Sequence, residues 1–207
     1  GRRFVGTARE LTARKPVVVL KGGRSGAAAR RALSHTASIA GSEEVFDAAF
    51  REAGGIRASG IEELFGLSLA LSEQPPMKGR RVAVVSNVGG PAILAADALT
   101  DLGLAMAQLT RETVESLAER YPKVETINPI DLIADARADR FAAVLDAVLA
   151  DPGVDGVMLI SMLKSCLMQP EDAAAFPEVV RAHGKPVVVV PGGGDDFSRV
   201  YEVLKGT

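Results

Sequence analysis

Several residue types that support common kinds of protein chemistry are scarce in this sequence of 207 residues. It contains one cysteine, no tryptophan, two tyrosines and two histidines. One cysteine cannot form an internal disulfide, and together with two histidines it cannot complete the four-ligand set of a structural zinc site. The low aromatic content leaves few surfaces on which the bases of single-stranded nucleic acid stack. We therefore expect no disulfide scaffold, no metal centre and no nucleic-acid partner.

Long apolar runs are also missing. Apolar runs such as residues 17–20 and 187–190 have the length of strands and fall far short of the ~18 to 20 residues that cross a bilayer. The first residues lack the charged and then apolar pattern of a signal peptide. We expect a cytoplasmic protein that does not span a membrane.

The small net charge of −2 conceals an uneven distribution. Residues 1–40 carry nine basic side chains and one acidic one, a net charge of +8, which leaves −10 for the remaining residues. A basic segment attracts anions, with a strength that salt reduces. Because aromatic residues are few, this segment points to phosphate or another anion on a small ligand rather than to DNA.

Short β-branched runs alternate with alanine-rich amphipathic stretches, as in βα units on a parallel sheet that is buried on both faces. The pattern predicts strands over 16–21, 56–58, 81–86, 105–109, 154–161 and 186–191. It predicts helices over 4–13, 26–33, 42–53, 61–72, 92–102, 110–120, 138–150, 170–183 and 197–204. This order suits an α/β fold with doubly wound, flavodoxin-like parallel sheets.

A domain boundary is predicted at Pro75 and Pro76, because consecutive prolines do not fit inside a helix or a central strand. The domains would then be residues 1–74 and 75–207. The first has too few strands for a complete doubly wound domain. Since the sequence also begins without methionine, we expect a fragment made of one partial and one nearly complete domain.

The strongest local motif is the segment 85–92, in which a strand runs into Gly89, Gly90 and Pro91. Glycine lets backbone amides approach a ligand closely, and the amides at a helix N-terminus favour an anion such as phosphate. A tight strand-to-helix turn without a ligand explains the same spacing. The segment with glycines beside Lys21 and Arg24 has two similar interpretations: it is either an anion site or a basic loop without a ligand.

His35 lies in a loop of small and hydroxyl residues, 33–41, which suits an exposed imidazole held for nucleophilic work. Taken alone, a single histidine is more often structural. His183, near a predicted helix end, and Cys166, among apolar residues, are assigned no chemistry. The segment from Asn128 to Asp131 is either a capped turn or a polar site at the end of a strand.

Several motifs together resemble the nucleoside-diphosphate-forming (ADP-forming) acyl-CoA synthetases, which include the acetate-CoA ligases and are relatives of succinyl-CoA synthetase. The matching segments are 15–25, 34–42, 45–50, 61–65, 85–91 and 128–131, in the order that the family has them. The resemblance covers nearly the whole sequence, with Ala37 where the family usually has glycine.

The resemblance implies a ligase that interconverts a carboxylic acid, CoA and ATP with acyl-CoA, ADP and phosphate. It implies an acyl phosphate and a phosphohistidine at His35. It also implies a phosphate-binding helix terminus at Asn87, Val88, Gly89 and Gly90. CoA, and ATP or ADP with magnesium, would be bound mainly by a CoA-binding domain and an ATP-grasp domain that this sequence does not include. A homo-oligomer is compatible with the family.

Two other functions remain open from the sequence. One is a non-catalytic, synthetase-like regulatory region of a protein acyltransferase, whose members often lack the histidine. The other is a simple CoA-binding or nucleotide-binding module. The presence of His35 favours the ligase.

Overall fold

The computed structural model describes residues 2–22, 43–162, 167–192 and 197–205. The chain divides into two compact units, Gly1–Glu73 and Gln74–Thr207.

The first unit contains a short parallel sheet with helices packed beside it. Its elements are α1 (Arg2–Thr12), β1 (Val18–Leu20), α2 (Glu43–Glu52), β2 (Ile56–Ala58) and α3 (Ile61–Glu73). Strands β1 and β2 are parallel, with Val19 opposite Arg57.

Three phenylalanine rings hold α1 against α2. Phe46 and Phe50 lie one turn apart on α2 with ring centroids 5.1 Å apart, and the ring of Phe4 lies 5.5 Å from that of Phe50. The chain then turns sharply at Gly55, where a Cβ atom would meet the Phe50 ring at 2.5 Å. Glycine is required there because any side chain would displace this ring.

The second unit contains the larger sheet. Its elements are β3 (Arg81–Ser86), α4 (Gly89–Asp101), β4 (Ala105–Met106), α5 (Arg111–Arg120), β5 (Ile130–Asp131), α6 (Ala138–Ala150), β6 (Gly156–Met162), a 3-10 helix (Pro170–Ala175), α7 (Phe176–His183), β7 (Val187–Gly192) and α8 (Phe197–Lys205). All paired strands are parallel, in the order β4–β3–β6–β7. Strand β5 pairs with the carboxyl end of β3, on the edge that β4 occupies at the amino end.

The two faces of this sheet are covered by different helices. Val82, Val84 and Ile160 pack with apolar residues of α4 on one face. Val85 and Leu159 point to the opposite face, where they pack in a second apolar cluster with residues of α6 and α7. The chain therefore leaves β3 over one face and leaves β6 over the opposite face. The crevice between the carboxyl ends of β3 and β6 is the topological switch point, where doubly wound sheets bind ligands.

The parallel α/β fold class is confirmed, and so are several elements. The predicted helix over 138–150 has the observed bounds, and Thr110 caps α5 by accepting a hydrogen bond from the backbone N of Thr113. Other bounds were wrong. Helix α4 begins at Gly89, three residues before the predicted start, and the predicted helix over 170–183 is divided into a 3-10 helix and α7.

Strand β4 is shorter than the predicted strand over 105–109 because the side chain of Asn128 takes the place of a neighbouring strand beyond Met106 and donates to the backbone oxygen of Ala107. The predicted helix over 26–33 and the first residue of the predicted helix over 42–53 lie outside the described residues. Among the helices that the structure describes, none is long and apolar enough to cross a membrane.

Candidate functional site

The predicted site residues fall into two groups. Asn87, Val88, Gly89 and Gly90 are described and lie together at the carboxyl edge of the second sheet. His35 lies outside the described residues, as do Arg24 and Cys166. The described part of the predicted site is therefore the helix terminus at Gly89 and Gly90.

Helix α4 begins at Gly89 with open backbone donors. Val88 is the N-cap residue in extended conformation, and its apolar side chain cannot accept a hydrogen bond from the first turn. The N–H groups of the first helical residues have no acceptor within the helix. Pro91 contributes no N–H group, so Gly89 and Gly90 supply the donors at this end, where the helix dipole favours negative charge.

The two glycines leave the space in front of these donors empty. Both are exposed, and a Cβ atom built on either meets none of the described atoms within 4 Å. The packing of the described residues therefore does not explain why glycine stands at both positions. Since Cα–Cβ bonds in a helix tilt towards its N-terminus, a side chain here would occupy the place of a bound anion.

Asn87 joins the ends of two strands. Its side chain is almost completely buried, and its Oδ1 accepts a hydrogen bond of 2.9 Å from the backbone N of Met162. This bond spans the switch point between β3 and β6. The side-chain oxygen Oδ1 of Asn87 therefore stabilises the fold, and the Nδ2 group of the same side chain remains able to donate a hydrogen bond to another group.

The turn from β3 into α4 is held by a serine. The Oγ of Ser86 accepts a hydrogen bond of 3.0 Å from the backbone N of Val88. Ser86 lies opposite both Ile160 and Asp131 in the sheet. The hydroxyl fixes the residue that precedes the first helical amides.

The segment that begins at Asn128 forms a turn at the end of a strand. Asp131 ends β5, and its Oδ1 accepts a hydrogen bond of 2.8 Å from the N of Ile133. Ile133 has a φ of 64°, a left-handed conformation that costs energy for a β-branched residue. The segment is thus both a strand end and a side-chain-stabilised turn.

Asn128 is a structural residue. Its amide makes hydrogen bonds to the backbone N of Val84 and to the backbone oxygens of Val82 and Ala107. These partners belong to β3 and to the residue that follows β4. Its polar groups are therefore bound to the sheet and not directed to a ligand.

Ser161 is a polar residue at this edge that the sequence analysis missed. It is completely buried near the end of β6, and its Oγ has no hydrogen-bond partner among the described residues. The available signal was a hydroxyl residue inside an otherwise apolar run, residues 157–162.

Lys21, one of the two candidate cations in the first unit, is already paired. Its Nζ lies 2.6 Å from Glu43 Oε2, its side chain is 9% exposed, and it lies over the Phe46 ring. Lys21 and then Arg57 hold the pKa of Glu43 below its usual range. The charge of Lys21 is balanced inside the fold, which argues against Lys21 as a free anion ligand.

The amino edge of the second sheet carries a separate group of charges. Arg81 contacts both carboxylate oxygens of Asp155, at 2.9 and 2.7 Å, and these bonds hold the pKa of Asp155 well below its usual range. Lys185 donates to the backbone oxygen of Asp151, and burial lowers the pKa of Lys185. Within the described ranges, no group of three or more His, Cys, Asp and Glu residues is arranged to hold a metal ion.

Comparison with known proteins connects these features to a family. Residues 1–71 match the model of the succinyl-CoA ligase like flavodoxin domain. The chain is 36% identical to the alpha subunit of the ADP-forming acetate–CoA ligase II of Pyrococcus furiosus, covering 99% of this chain and 46% of that protein. It is 42% identical to the ADP-forming acetate–CoA ligase I of Archaeoglobus fulgidus, covering 100% of this chain and 29% of that protein.

A solved structure agrees with the sequence matches. The acetyl-coenzyme A synthetase 1 of Ca. Korarchaeum cryptofilum, in complex with phosphate and ADP, superposes with a TM-score of 0.87 and 30% identity. The superposition covers 99% of this chain and 45% of that one. The chain thus spans less than half the length of these relatives and aligns over nearly all of its own.

Proposed function

The chain belongs to the ADP-forming acyl-CoA synthetases, and we propose that it is the part of such a ligase that carries the phosphorylated histidine and one phosphoryl-binding helix terminus. Its relatives are named as ADP-forming ligases. The chain covers 46% of the Pyrococcus furiosus subunit and 29% of the Archaeoglobus fulgidus ligase. The complete protein would therefore contain further domains that bind CoA and the nucleotide.

The N-terminus of α4 is the observation that carries this proposal. Two exposed glycine amides point out of the helix at the switch point of a parallel sheet, and none of the described atoms lies within 4 Å of a Cβ built on either glycine. Amide donors and the positive end of a helix suit the oxygens of a phosphoryl group. They do not suit a magnesium ion, which requires oxygen ligands. We assign magnesium and the nucleotide to the further domains.

The proposed chemistry forms an acyl phosphate and passes its phosphoryl group to two acceptors in turn, His35 and ADP. Phosphate attacks the thioester of acyl-CoA, and CoA leaves to give an acyl phosphate. A ring nitrogen of neutral His35 then attacks the phosphorus, and the carboxylic acid leaves as its carboxylate. ADP finally attacks the phosphohistidine and becomes ATP, which returns His35 to its neutral form. All steps are reversible, so the same residues serve acyl-CoA formation.

The helix terminus would stabilise the group during these transfers. A phosphoryl group in transit carries charge on its equatorial oxygens, and fixed donors stabilise that charge without reorganising. We assign this role to the N–H groups of Gly89 and Gly90. Val88 and Asn87 hold these groups in place, because Val88 is the N-cap and Asn87 fixes the preceding strand end.

The two domains follow from the same proposal. Residues 1–74 would be the C-terminal part of a first succinyl-CoA synthetase-like domain that carries the His35 loop. Residues 75–207 would be the second such domain, which contributes α4. The match of residues 1–71 to a flavodoxin domain model supports the first assignment.

Enzyme assays test the proposal. The full-length protein, incubated with ATP, magnesium, CoA and acetate or another carboxylic acid, should form acyl-CoA, ADP and phosphate in equal amounts. The chain of 207 residues should form none under the same conditions. A full-length protein that binds CoA without consuming ATP would contradict the ligase assignment and would favour a regulatory or CoA-binding role.

A further inference from the structure

The hydroxyl of Ser161 is a buried polar group that the fold does not use. The residue is 0% exposed, and its Oγ lacks a hydrogen-bond partner among the described residues. A buried hydroxyl without a partner destabilises a fold, whereas alanine at the same place would carry no such penalty. The stability of the described fold therefore gives no reason for serine here.

The position of Ser161 supplies a reason. Ser86 pairs with Ile160, so the next residues along the two strands, Asn87 and Ser161, are neighbours at the carboxyl edge. Met162, which follows Ser161, donates its backbone N–H to Asn87 Oδ1 at 2.9 Å. Ser161 thus lies at the switch point between β3 and β6, and Gly89 begins α4 two residues after Asn87.

Two other side-chain oxygens of the described residues at this switch point are occupied. Ser86 Oγ accepts from the backbone N of Val88, and Asn87 Oδ1 accepts from Met162. The Nδ2 group of Asn87 and the hydroxyl of Ser161 are the polar groups that these bonds leave over. Two neighbouring groups, one able to donate and one able to donate or accept, match the needs of an ordered water molecule.

We propose that Ser161 is a positioning residue of the oxyanion site, acting through one ordered water molecule. The water is held by Ser161 Oγ and Asn87 Nδ2 and donates a hydrogen bond to an oxygen of the phosphoryl group bound at the amides of Gly89 and Gly90. The complete burial of Ser161 favours this indirect contact over direct contact with the ligand. The inference rests on the proposed phosphoryl site and adds a residue and a water to it.

Binding of inorganic phosphate to the 207-residue chain tests this inference. Wild type and Ser161→Ala are compared by isothermal titration calorimetry and by thermal unfolding without phosphate. Ser161→Ala should weaken phosphate binding about fivefold, because the bridging water loses a partner. Its melting temperature without phosphate should equal or exceed that of wild type, because the unpaired hydroxyl is gone. A purely structural serine would leave the affinity unchanged.

Thr100→Ala is the matched control. Thr100 lies at the other end of α4, is exposed, and donates its hydroxyl to the backbone oxygen of Ala96. This variant should bind phosphate as wild type does. Equal affinity of wild type and Ser161→Ala would overturn the inference, and so would a wild-type chain that binds no phosphate. The ligase proposal is judged separately, by phosphohistidine formation in the full-length protein.

Discussion

The side-chain oxygen Oδ1 of Asn128 lies 2.9 Å from the backbone N of Val84 and accepts its hydrogen bond, as a neighbouring strand would. On its other side, Nδ2 donates to the oxygens of Val82 and Ala107 at 2.8 and 3.0 Å. One amide side chain thus fills the space between β4 and β5 along the edge of β3. It has the donor and acceptor of a peptide group and satisfies the backbone in the same way.

Replacement of Asn128 by leucine should therefore destabilise the second unit strongly. The substitution keeps a side chain of similar size but leaves two backbone groups, the N–H of Val84 and the oxygen of Ala107, without their partner. The oxygen of Val82 keeps the hydrogen bond that it accepts from the backbone N of Ala107. Each unpaired buried group costs about 1–3 kcal/mol, and water will recover part of this, so we expect a loss of about 2–4 kcal/mol in the free energy of unfolding. Urea unfolding of wild type and variant measures this difference in the free energy of unfolding.

Gln108→Ala provides the comparison for this experiment. Gln108 is an exposed neighbour of Ala107, and its loss should change the free energy of unfolding by less than about 0.5 kcal/mol. If Asn128→Leu is no more destabilising than Gln108→Ala, the side chain does not serve as a substitute for strand backbone.

Gly90→Ala should make the protein more stable and weaken its binding of phosphate. Alanine in a helix is more stable than glycine by about 0.5–1 kcal/mol, and a Cβ at Gly90 meets none of the described atoms within 4 Å. The variant should therefore unfold at a higher temperature. Its Cβ would lie in front of the first-turn amides, so the affinity for inorganic phosphate should fall about tenfold, or 1.4 kcal/mol.

Gly66→Ala is the control for that change, because Gly66 is an exposed glycine inside α3 that also has open space at its Cβ position in the described structure. It should share the gain in stability and leave phosphate affinity unaltered. Unchanged phosphate binding in Gly90→Ala would show that the anion does not approach this helix terminus.

Asp155→Asn should alter the acid dependence of stability. Because Arg81 lowers the pKa of Asp155 in the folded state, this carboxylate stabilises the fold above its unfolded pKa of about 3.9. That contribution is lost as the pH falls through the lower folded pKa. The variant should be less stable than wild type at pH 7, and the difference should shrink as the pH is lowered from 5 towards 2. Urea unfolding across this range measures both curves, and parallel curves would contradict the assignment.

Lys21→Met should lower stability without affecting anion binding. The substitution keeps the length of the side chain and its contact with the Phe46 ring but removes the partner of Glu43, leaving Arg57 as a neighbouring cation. The melting temperature should fall by a few degrees. Phosphate affinity should stay at the wild-type value, and a clear loss would mean that Lys21 binds the anion in spite of its ion pair.

The sequence predicted the regular parts of the fold well because their signals are local. The helix over 138–150 carries apolar residues at helical spacing, and Thr110 is a good N-cap residue, so both predictions were confirmed. The buried strand over 81–86 is a short β-branched run between turn residues and was also predicted with its observed bounds. Each of these features depends on a few consecutive residues.

The remaining features depend on contacts between distant residues, which a single sequence does not show. The length of β4 is limited by Asn128, which is more than 20 residues away and which the sequence assigns to either a capped turn or a polar site at a strand end. The role of Ser161 appears only when β6 lies beside β3. The early start of α4 was missed because glycines before a proline resemble a loop, although Pro91 fits the first turn of a helix.

Labelling of the full-length protein with ATP that carries radioactive γ-phosphate measures whether His35 is phosphorylated. Magnesium is present and the acyl substrate is omitted, so that the phosphoryl group stays on the enzyme. Wild type should acquire a label that is stable in base and lost in acid. His35→Asn should acquire none, while His183→Asn, a change in the other histidine of the chain, should be labelled like wild type. Equal labelling of His35→Asn and wild type would contradict the account.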